Sequence, residues 1–389
     1  MKDSTVVIYV HHESALGGAP LSLLYLLRKL DRSRYSPHVI CLKEGAAADL
    51  YRKEGLPVRV ISGPDLSHTN LVWFPIHKLP KLLWRMFFSI PLFFRLRCAF
   101  SKIAKESRRT LIHLNSSTLL TAALAARCAG LPVVWHIREP LAQGHFGIRK
   151  KLLGFAIRHL STQIIAISQH DAAQVGVSDK ISVIHNFVDF AQFDRNLPRG
   201  AIRKELQIGA NDPCLLFLGG STHVKGIETL LSAFPIVLKS FPSTRLILAG
   251  GSEVDLWKQI ENLPERKSIH VLGPRSDVPA LIADCTLLLF PAIVPHFARP
   301  VIEAAAMAKP AIASDLGGVK ELVKKNETAV LVTPNDPRAL ADAIVDLLQD
   351  PARLHRLGEE AYHWAREKFD ARQNAVATFA VYEKIFPNT

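Results

Sequence analysis

Short apolar runs alternate with amphipathic stretches along the whole chain. Thirteen of these runs have the length and composition of strands, at residues 6–10, 38–42, 58–61, 111–114, 133–137, 164–167, 182–184, 214–218, 245–249, 269–272, 287–290, 311–313 and 329–332. Stretches such as 21–29, 119–128 and 227–240 lie between them and are predicted to be helices. Because buried parallel strands are almost continuously apolar, this alternation predicts an α/β fold with parallel sheets covered on both faces.

The two halves of the chain repeat this pattern on either side of a polar, irregular stretch at residues 186–200. A chain of 389 residues exceeds what one compact core usually serves, so two domains are expected. We predict two Rossmann-like domains, 1–190 and 191–370, that face a central cleft and hold ligands at the carboxyl ends of their strands. The helical stretch 350–386 predicts a C-terminal crossover helix, at about 371–389, that returns to the first domain.

Composition narrows the class of protein. Apolar residues make up 48% of the chain and charged residues 21%, which is typical of a folded globular protein. The five cysteines are scattered without metal-ligand spacing, and the N-terminal residues lack the long apolar core of a secretory signal. These features predict a cytoplasmic protein with reduced, buried thiols.

The net charge of +13 is unevenly distributed. Residues 68–110 contain nine basic residues against the single acid Glu106, with eight aromatic residues that include Trp73. Arg85, Arg95 and Arg97 interrupt the apolar stretch too often for a membrane-spanning helix. A basic, aromatic-rich amphipathic helix is typical of binding to an anionic membrane surface, which we predict here. The alternative is a core helix with solvated arginines. Nucleic acid is not expected as a partner, because no nucleic-acid motif accompanies the charge.

A glycine-rich turn between a strand and a helix is the strongest chemical signal, Leu218-Gly219-Gly220-Ser221-Thr222-His223-Val224-Lys225-Gly226. Amides at a helix N-terminus and a lysine charge attract a diphosphate. Farther on, Glu303 stands at the start of a helix predicted over residues 301–308. We predict that the two motifs hold a diphosphate and its attached groups, with Lys225 meeting phosphate. The alternatives are a solvated lysine at a helix start and a carboxylate that only caps a helix.

Together with further motifs, these residues resemble the retaining glycosyltransferases of group 1, or family 4, which have the GT-B fold. Gly17-Gly18 resembles the family's glycine pair beside the donor diphosphate, and residues 219–226 resemble its phosphate loop. His136, in Val134-Trp135-His136-Ile137-Arg138-Glu139, looks like the family histidine near the transferred sugar. Ser168 and Asn186 match the family's strand-end markers, and Glu303 matches its ribose carboxylate.

The resemblance implies transfer of a hexose-type sugar from a nucleotide-diphosphate donor to a lipid-linked or polysaccharide acceptor, with retention of anomeric configuration and no cofactor. It implies a peripheral enzyme of polysaccharide or lipopolysaccharide biosynthesis at the inner face of the membrane. The candidate catalytic residues are His136, Lys225 and Glu303. His12, Glu13 and Arg138 are candidates on the acceptor side. The candidate donor-binding residues are Gly17, Gly18, Ser168, Asn186, Gly219, Gly220, His223, Lys225, Gly250, Arg275, His296, Phe297, Ala298, Arg299, Val301, Ile302 and Glu303.

Two positions depart from the family pattern. Gly220 stands where arginine is usual, so Lys225 lacks its usual partner, for which His223 or Arg299 could compensate. Pro295 stands at the first of two glutamate positions that are normally eight residues apart. These departures favour, as an alternative, a catalytically silent GT-B binding or scaffold protein. A GT-B nucleotide-sugar epimerase is a further alternative, although it would be expected to keep the carboxylate that Pro295 replaces.

Many nucleotide-sugar enzymes hold a divalent metal with a D-x-D pair, and the sequence contains none. We therefore predict metal-independent transfer. Lys225, amides around Gly17-Gly18 and amides near residues 299–302 would stabilise the leaving diphosphate. The close pair of carboxylates that retaining hydrolases use is not visible, and the resemblance implies instead that the leaving phosphate takes the acceptor's proton.

Overall fold

The computed structural model of the chain describes residues 4–15, 17–64, 79–141, 143–295 and 297–386. The chain divides into two compact units, Met1–Asn186 with Ala371–Thr389, and Phe187–Asp370. Each unit contains one sheet, and all pairs of named strands run parallel. The predicted α/β fold class is therefore confirmed. The first unit ends at Asn186, a few residues before the predicted boundary.

The first unit is a seven-stranded sheet with strand order β3-β2-β1-β4-β5-β6-β7. Its strands are β1 (Thr5–His11), β2 (Tyr35–Cys41), β3 (Val58–Val60), β4 (Thr110–Leu114), β5 (Val133–Ile137), β6 (Gln163–Ala166) and β7 (Ile181–Val183). Its helices are α1 (Gly18–Arg28), α2 (Ala46–Lys53), α3 (Leu79–Ile103), α4 (Leu120–Cys128), α5 (Ile148–Leu160), α6 (Gln169–Val175) and, at the end of the chain, α14 (Ala371–Ile385).

The second unit is a six-stranded sheet with strand order β10-β9-β8-β11-β12-β13. Its strands are β8 (Cys214–Phe217), β9 (Arg245–Ala249), β10 (Ile269–Leu272), β11 (Leu287–Phe290), β12 (Ala311–Ser314) and β13 (Val330–Val332). Its helices are α7 (Ala201–Glu205), α8 (Ile227–Ser240), α9 (Glu253–Ile260), α10 (Val278–Asp284), α11 (Arg299–Ala306), α12 (Pro337–Gln349) and α13 (Pro351–Lys368).

The strand order of each sheet reverses once, between β1 and β4 in the first unit and between β8 and β11 in the second. Open α/β sheets bind ligands at such a switch point, outside the carboxyl ends of the strands. The loops that follow these four strands are therefore the candidate ligand-binding segments. β1, β4, β8 and β11 are buried throughout, so their ends are held rigidly by the core of their own unit.

One helical prediction needs correction, and one helical stretch divides in two. The stretch 350–386 forms α13 and α14, with Phe369 and Asp370 between them, and α14 begins at Ala371, where the crossover helix was predicted. Asp370 instead forms an isolated bridge with Val188 inside the second unit. The helix predicted over 301–308 begins earlier, at Arg299, because Pro300 occupies the first turn, where its missing N–H costs no hydrogen bond.

The basic segment forms helix α3, which is buried on one face and exposed on the other. Leu92, Leu96 and Phe100 lie in the core of the first unit. Trp84 and Phe87 are 57% and 67% exposed, respectively. Trp73 and the basic residue Lys78 lie outside the described residues. Among the described residues, no helix has both the length and the apolar character needed to span a bilayer.

Candidate functional site

The loop after β8 packs directly against the loop after β11. A short 3₁₀ turn, His223–Lys225, ends at Gly226, whose φ is +78°. A Cβ at this glycine would lie 1.7 Å from the carbonyl oxygen of Pro291, so only glycine fits. The Ile293 N–H donates to the Val224 carbonyl oxygen at 3.1 Å. These contacts fix the end of the predicted phosphate loop at the switch point of the second unit.

The start of the same loop touches the loop after β9 through glycines. Gly220 has φ +65°, and a Cβ there would lie 3.1 Å from the Cα of Gly251. Gly250 and Gly251 also have positive φ, of +90° and +67°. The departure from arginine at position 220 therefore has a local reason, because a left-handed backbone in close contact with a second loop favours glycine. Gly219 and Gly220 lie at the strand end where they were predicted to bind the donor.

Lys225 is the cation that this loop presents. Burial lowers the pKa of its ammonium group from the usual 10.5 to about 8. Its Nζ lies 5.5 Å from the centre of the Phe290 ring. Among the described residues, no carboxylate forms an ion pair with it. The side chain is half-buried, which disfavours the alternative of a solvated lysine at a helix start. A desolvated cation without a counter-ion is poised for an anionic ligand.

Glu303 lies on the second turn of α11 rather than at its start. Its Oε1 accepts a hydrogen bond from Arg299 Nε at 2.6 Å, and both side chains are buried. Burial raises the pKa of this carboxyl, and the Arg299 charge opposes that rise. The capping alternative is therefore wrong, because Glu303 pairs with a side chain one turn earlier. The carboxylate lies on the helix that follows β11, after the loop whose Pro291 and Ile293 contact the phosphate loop.

The amides predicted to help near residues 299–302 are mostly committed within the protein. The Arg299 N–H donates to the Phe297 carbonyl, and the Val301 N–H donates to the Ala298 carbonyl. Residue 300 is a proline and has no N–H. The side chains of Val301 and Ile302 pack in the core. We therefore remove this stretch from the groups expected to stabilise a leaving diphosphate. His296 lies outside the described residues.

Two other predicted donor ligands already have partners. The Arg275 guanidinium makes bidentate ion pairs, to Glu205 at 2.7 and 2.9 Å and to Asp277 at 2.8 and 2.7 Å. These two carboxylates neutralise its charge, so its prediction as a phosphate ligand is not supported. His223 is exposed, and its Nδ1 lies 3.0 Å from Glu228 Oε1. It is a weak substitute for the missing loop arginine, because a neighbouring carboxylate would offset any charge it gained.

In the first unit, His136 lies buried at the carboxyl end of β5. Its Nδ1 lies 3.2 Å from His113 Nε2, and among the described residues its Nε2 has no hydrogen-bond partner. Burial lowers the pKa of His136 well below its usual value, and the charges of Arg138 and His113 lower it further. The ring is therefore neutral near pH 7. A buried polar atom without a partner is a common sign of a ligand contact.

The other predicted polar residues of the first unit hold its loops together. Ser168 caps α6: its Oγ accepts from the Asp171 N–H at 3.0 Å and donates to the Asp171 carboxylate at 2.7 Å. Asn186 accepts a hydrogen bond from Arg138, whose Nε donates to Asn115 Oδ1 at 2.8 Å. Ser168 and Asn186 therefore shape the strand ends, because their side-chain oxygens are already used.

Gly17 and Gly18 lie before and at the first residue of α1, beyond the end of β1. A Cβ at Gly17 would lie 3.6 Å from Glu13 Oε2, and one at Gly18 would meet nothing within 4 Å. Among the described residues, the space beside the Gly18 Cα is therefore open. His12 is buried, with its Nε2 3.7 Å from Glu13 Oε1. The predicted acceptor-side pair thus lies beside the glycine pair.

Sequence reasoning missed His113 and Tyr382. His113 is a polar residue inside an otherwise apolar strand, which is a weak signal that could have drawn attention to it. Tyr382 lies on α14, and nothing in its neighbouring residues indicates that its hydroxyl reaches His113 Nδ1 at 2.7 Å. That contact joins residues 269 positions apart, and only the fold brings them together.

Two family models match the chain, one on each unit. The model of glycosyltransferase family 4 matches residues 16–192, and that of glycosyl transferases group 1 matches residues 198–364. The D-inositol 3-phosphate glycosyltransferase of Corynebacterium glutamicum is 31% identical over 202 residues, 48% of each chain. The N-acetyl-alpha-D-glucosaminyl L-malate synthase of Bacillus anthracis is 25% identical over 49% of this chain and 50% of that protein. The chain thus spans about half the length of these curated relatives.

Solved structures share the fold over nearly the full length. The Anabaena protein HepE, solved in complex with UDP-glucose, has a TM-score of 0.78 and 24% identity, over 96% of this chain and 99% of that one. This likeness shows that the two proteins share a fold.

Proposed function

The chain belongs to the group 1 glycosyl transferases, which have the GT-B fold, and we propose that it transfers a sugar from a nucleoside-diphosphate donor to a lipid-linked or glycan acceptor. The observation that carries this proposal is Lys225, a desolvated cation without a carboxylate partner among the described residues, on the loop after β8. The structure of HepE with UDP-glucose supports a nucleotide sugar as the donor class. Release of nucleoside diphosphate from UDP- and GDP-sugars, dependent on an added lipid or glycan acceptor, tests the proposal.

In this proposal the second unit binds the nucleotide part of the donor. Lys225 pairs with the diphosphate, and its charge stabilises the leaving group as the bond to the sugar breaks. Glu303 accepts hydrogen bonds from the ribose hydroxyls, with Arg299 holding the carboxylate in place. Both residues follow strands that flank the switch point, and this supports binding of the phosphate and the ribose at one edge of the sheet.

The first unit contributes His136, which we propose as a hydrogen-bonding partner of the transferred sugar. The bond between the sugar's anomeric carbon and the phosphate oxygen breaks, and a bond to the acceptor oxygen forms on the same face. The acceptor's proton passes to the leaving phosphate, so the anomeric configuration is retained. No protein nucleophile is needed in this route, which agrees with a neutral, buried His136.

Transfer is expected to survive excess EDTA, since Lys225 supplies positive charge at the phosphates and the sequence has no D-x-D pair. The measurement is turnover before and after chelation, with and without added magnesium or manganese. Complete loss of turnover under EDTA, restored by either metal, would contradict the electrostatic account of leaving-group stabilisation.

Glu303→Gln is expected to weaken nucleotide binding by about tenfold to hundredfold, because hydrogen bonds to a charged acceptor contribute about 1.5–3 kcal/mol. Calorimetric titration with the preferred nucleotide measures the change. Glu261→Gln is the matched control, since this exposed acid of the same unit loses the same charge away from the switch point. Equal affinity in the Glu303 variant, the control and the wild type would remove Glu303 from the site.

We also propose that the first unit lies on an anionic membrane surface, where a lipid-linked acceptor would be found. Helix α3 exposes one row of large apolar side chains, and α5 exposes a second: Leu83, Trp84, Met86, Phe87, Phe88, Ile90 and Phe94 on α3, and Ile148, Leu152 and Phe155 on α5. Helix α4 packs against both helices, so the two rows lie on one side of the sheet. The same helix carries Arg85, which is half-buried, and Arg95 and Arg97, which are exposed. This combination supports an interfacial helix more than a core helix with solvated arginines.

A catalytically silent GT-B binding or scaffold protein is the second candidate. Its support is the absence of two charged groups, at Gly220 and Pro295. Such a protein would bind lipid or another transferase and release no nucleoside diphosphate from any donor. The epimerase alternative has less support, because Pro295 removes the carboxylate expected for acid–base chemistry at the sugar.

A further inference from the structure

Four buried side chains of the first unit form a line that ends at His136. Tyr9 lies on β1, His113 on β4, His136 on β5, and Tyr382 on α14. Tyr382 Oη lies 3.4 Å from Tyr9 Oη and 2.7 Å from His113 Nδ1. His113 Nε2 lies 3.2 Å from His136 Nδ1. Every ring in the line is at most 3% exposed, so bulk water does not compete for these contacts.

The position of the Tyr382 proton decides the direction of the line. This hydroxyl has one proton and two neighbouring acceptors, His113 Nδ1 at 2.7 Å and Tyr9 Oη at 3.4 Å. The shorter distance is usual for an O–H donor, whereas the longer one exceeds the normal range. The 2.7 Å distance favours donation of this proton to His113 Nδ1, which is then the unprotonated nitrogen of that ring; in the opposite arrangement Tyr382 donates to Tyr9 Oη and accepts from a protonated His113 Nδ1.

The two histidine tautomers then follow. Burial lowers the pKa of His113 and of His136 well below the usual value, so each ring carries one proton. His113 holds its proton on Nε2 and donates it to His136 Nδ1. His136 must therefore carry its own proton on Nε2, the atom that has no partner among the described residues. The line thus ends in an N–H donor that the protein leaves open.

We propose that Tyr382 and His113 are positioning residues that fix His136 as an Nε2–H donor toward an oxygen of the bound sugar. That the ligand is a sugar rests on the proposed function, whereas the tautomer rests on the hydrogen-bond line alone. An uncharged donor suits this place. Glycosyl transfer passes through an oxocarbenium-like state, and an imidazolium beside the ring would oppose the developing positive charge. The Arg138 charge and the burial of the ring both disfavour that imidazolium.

The inference also gives α14 a role in the site. Tyr382 comes from the segment Ala371–Thr389, which returns to the first unit after the chain has formed the second. A second contact holds α14 against the first unit: Asn374 Nδ2 donates to the His185 carbonyl oxygen at 2.8 Å. His136 therefore depends for its tautomer on a residue supplied by the last helix of the chain.

Side-chain nitrogen NMR of the full chain tests the tautomer directly, because protonated and bare imidazole nitrogens have well-separated shifts. In the unliganded wild type we expect His136 to show a protonated Nε2 and a bare Nδ1, and His113 to show the same pattern. Assignment uses His113→Gln and His136→Gln. A protonated Nδ1 on His136 would overturn the proposal.

Tyr382→Phe removes the proton donor while keeping the ring. We expect His113 and His136 to change to a mixture of tautomers, and kcat to fall roughly tenfold with KM for the donor within about twofold. Tyr35→Phe is the matched control, because this buried tyrosine packs 5.8 Å from the Tyr382 ring centre without joining the line. The positioning role would be refuted if the nitrogen chemical shifts of His113 and His136 were the same in Tyr382→Phe as in the wild type. It would also be refuted if Tyr35→Phe changed these chemical shifts as much as Tyr382→Phe does.

These outcomes separate this inference from the proposed function. The NMR measurement needs no substrate, so a fixed tautomer that Tyr382→Phe releases would stand even if no sugar were transferred. Normal transfer by a Tyr382→Phe variant whose His136 tautomer is unchanged would refute the positioning role and leave the transferase proposal intact. A thermal melt of each variant confirms that the fold is retained.

Discussion

Replacing Lys225 by alanine is expected to lower turnover by about two to three orders of magnitude while leaving the fold intact. Deleting one preorganised charge partner of a developing anion typically has this effect. The expectation is stronger here because the amides of residues 299–301 are unavailable and Arg275 is neutralised by two carboxylates. Removing Lys225 therefore leaves the phosphate loop without its principal charge. Folding should not suffer, since burial of the uncompensated ammonium already disfavours its charged form.

Steady-state turnover and thermal melting of Lys225→Ala measure the two expectations together. Lys239→Ala is the control, because this exposed lysine lies at the other end of α8, away from the switch point. The control should retain wild-type turnover. A Lys225 variant that melts normally and also turns over like the wild type would mean that the diphosphate binds elsewhere.

Replacing Arg85, Arg95 and Arg97 by glutamine is expected to reduce binding to anionic vesicles by roughly a hundredfold. Each basic residue near such a surface contributes about 1 kcal/mol, and about 1.4 kcal/mol corresponds to tenfold in affinity. The effect should be greatest on anionic vesicles and should fade at high salt, because salt screens these charges. The variant should still bind nucleotide, since Lys225 and Glu303 belong to the other unit.

Co-sedimentation with anionic and neutral vesicles measures this loss. A control variant with Lys239, Lys258 and Lys267 changed to glutamine loses the same net charge from exposed positions of the second unit. If only net charge mattered, the two variants would lose binding equally. Equal sedimentation of the arginine variant and the wild type would remove the membrane proposal and leave the exposed face of α3 without a partner.

The strands were predictable because buried parallel strands need continuous apolar runs, and β5, β9, β10 and β11 match the predicted bounds. Helix α8 also agrees, since glycine precedes it and its apolar spacing is regular. The start of α11 was missed because Pro300 was taken as part of the preceding loop rather than as a first-turn residue. The stretch 350–386 was described as helical throughout because the sequence carries no strong break at Phe369-Asp370, and the crossover helix predicted at about 371–389 agrees with α14.

The positions of candidate site residues were predictable only where these residues lie in one contiguous loop. The glycine-rich turn placed Lys225 between β8 and α8, as the structure has it, because the strand, turn and helix are contiguous in the chain. The assignment of Arg275 to the donor overlooked Asp277, two residues on in the chain, and could not foresee Glu205, which is 70 positions away. The partners of His136 were invisible for the same reason. Motifs report local geometry, and the charge and protonation of a site depend on neighbours that only the fold supplies.

The most direct test of the account is calorimetric titration of the wild type and Lys225→Ala with UDP, GDP and ADP and with the matching monophosphates, at pH 7 and pH 9. Binding requires the ammonium form of Lys225, whose pKa in the free protein is lowered to about 8. We predict that one diphosphate binds the wild type much more tightly than its monophosphate does at pH 7. This preference should shrink at pH 9, where the free lysine is mostly neutral, and disappear in Lys225→Ala. Binding of no diphosphate to the wild type, or equal diphosphate preference in both proteins at both pH values, would contradict the account.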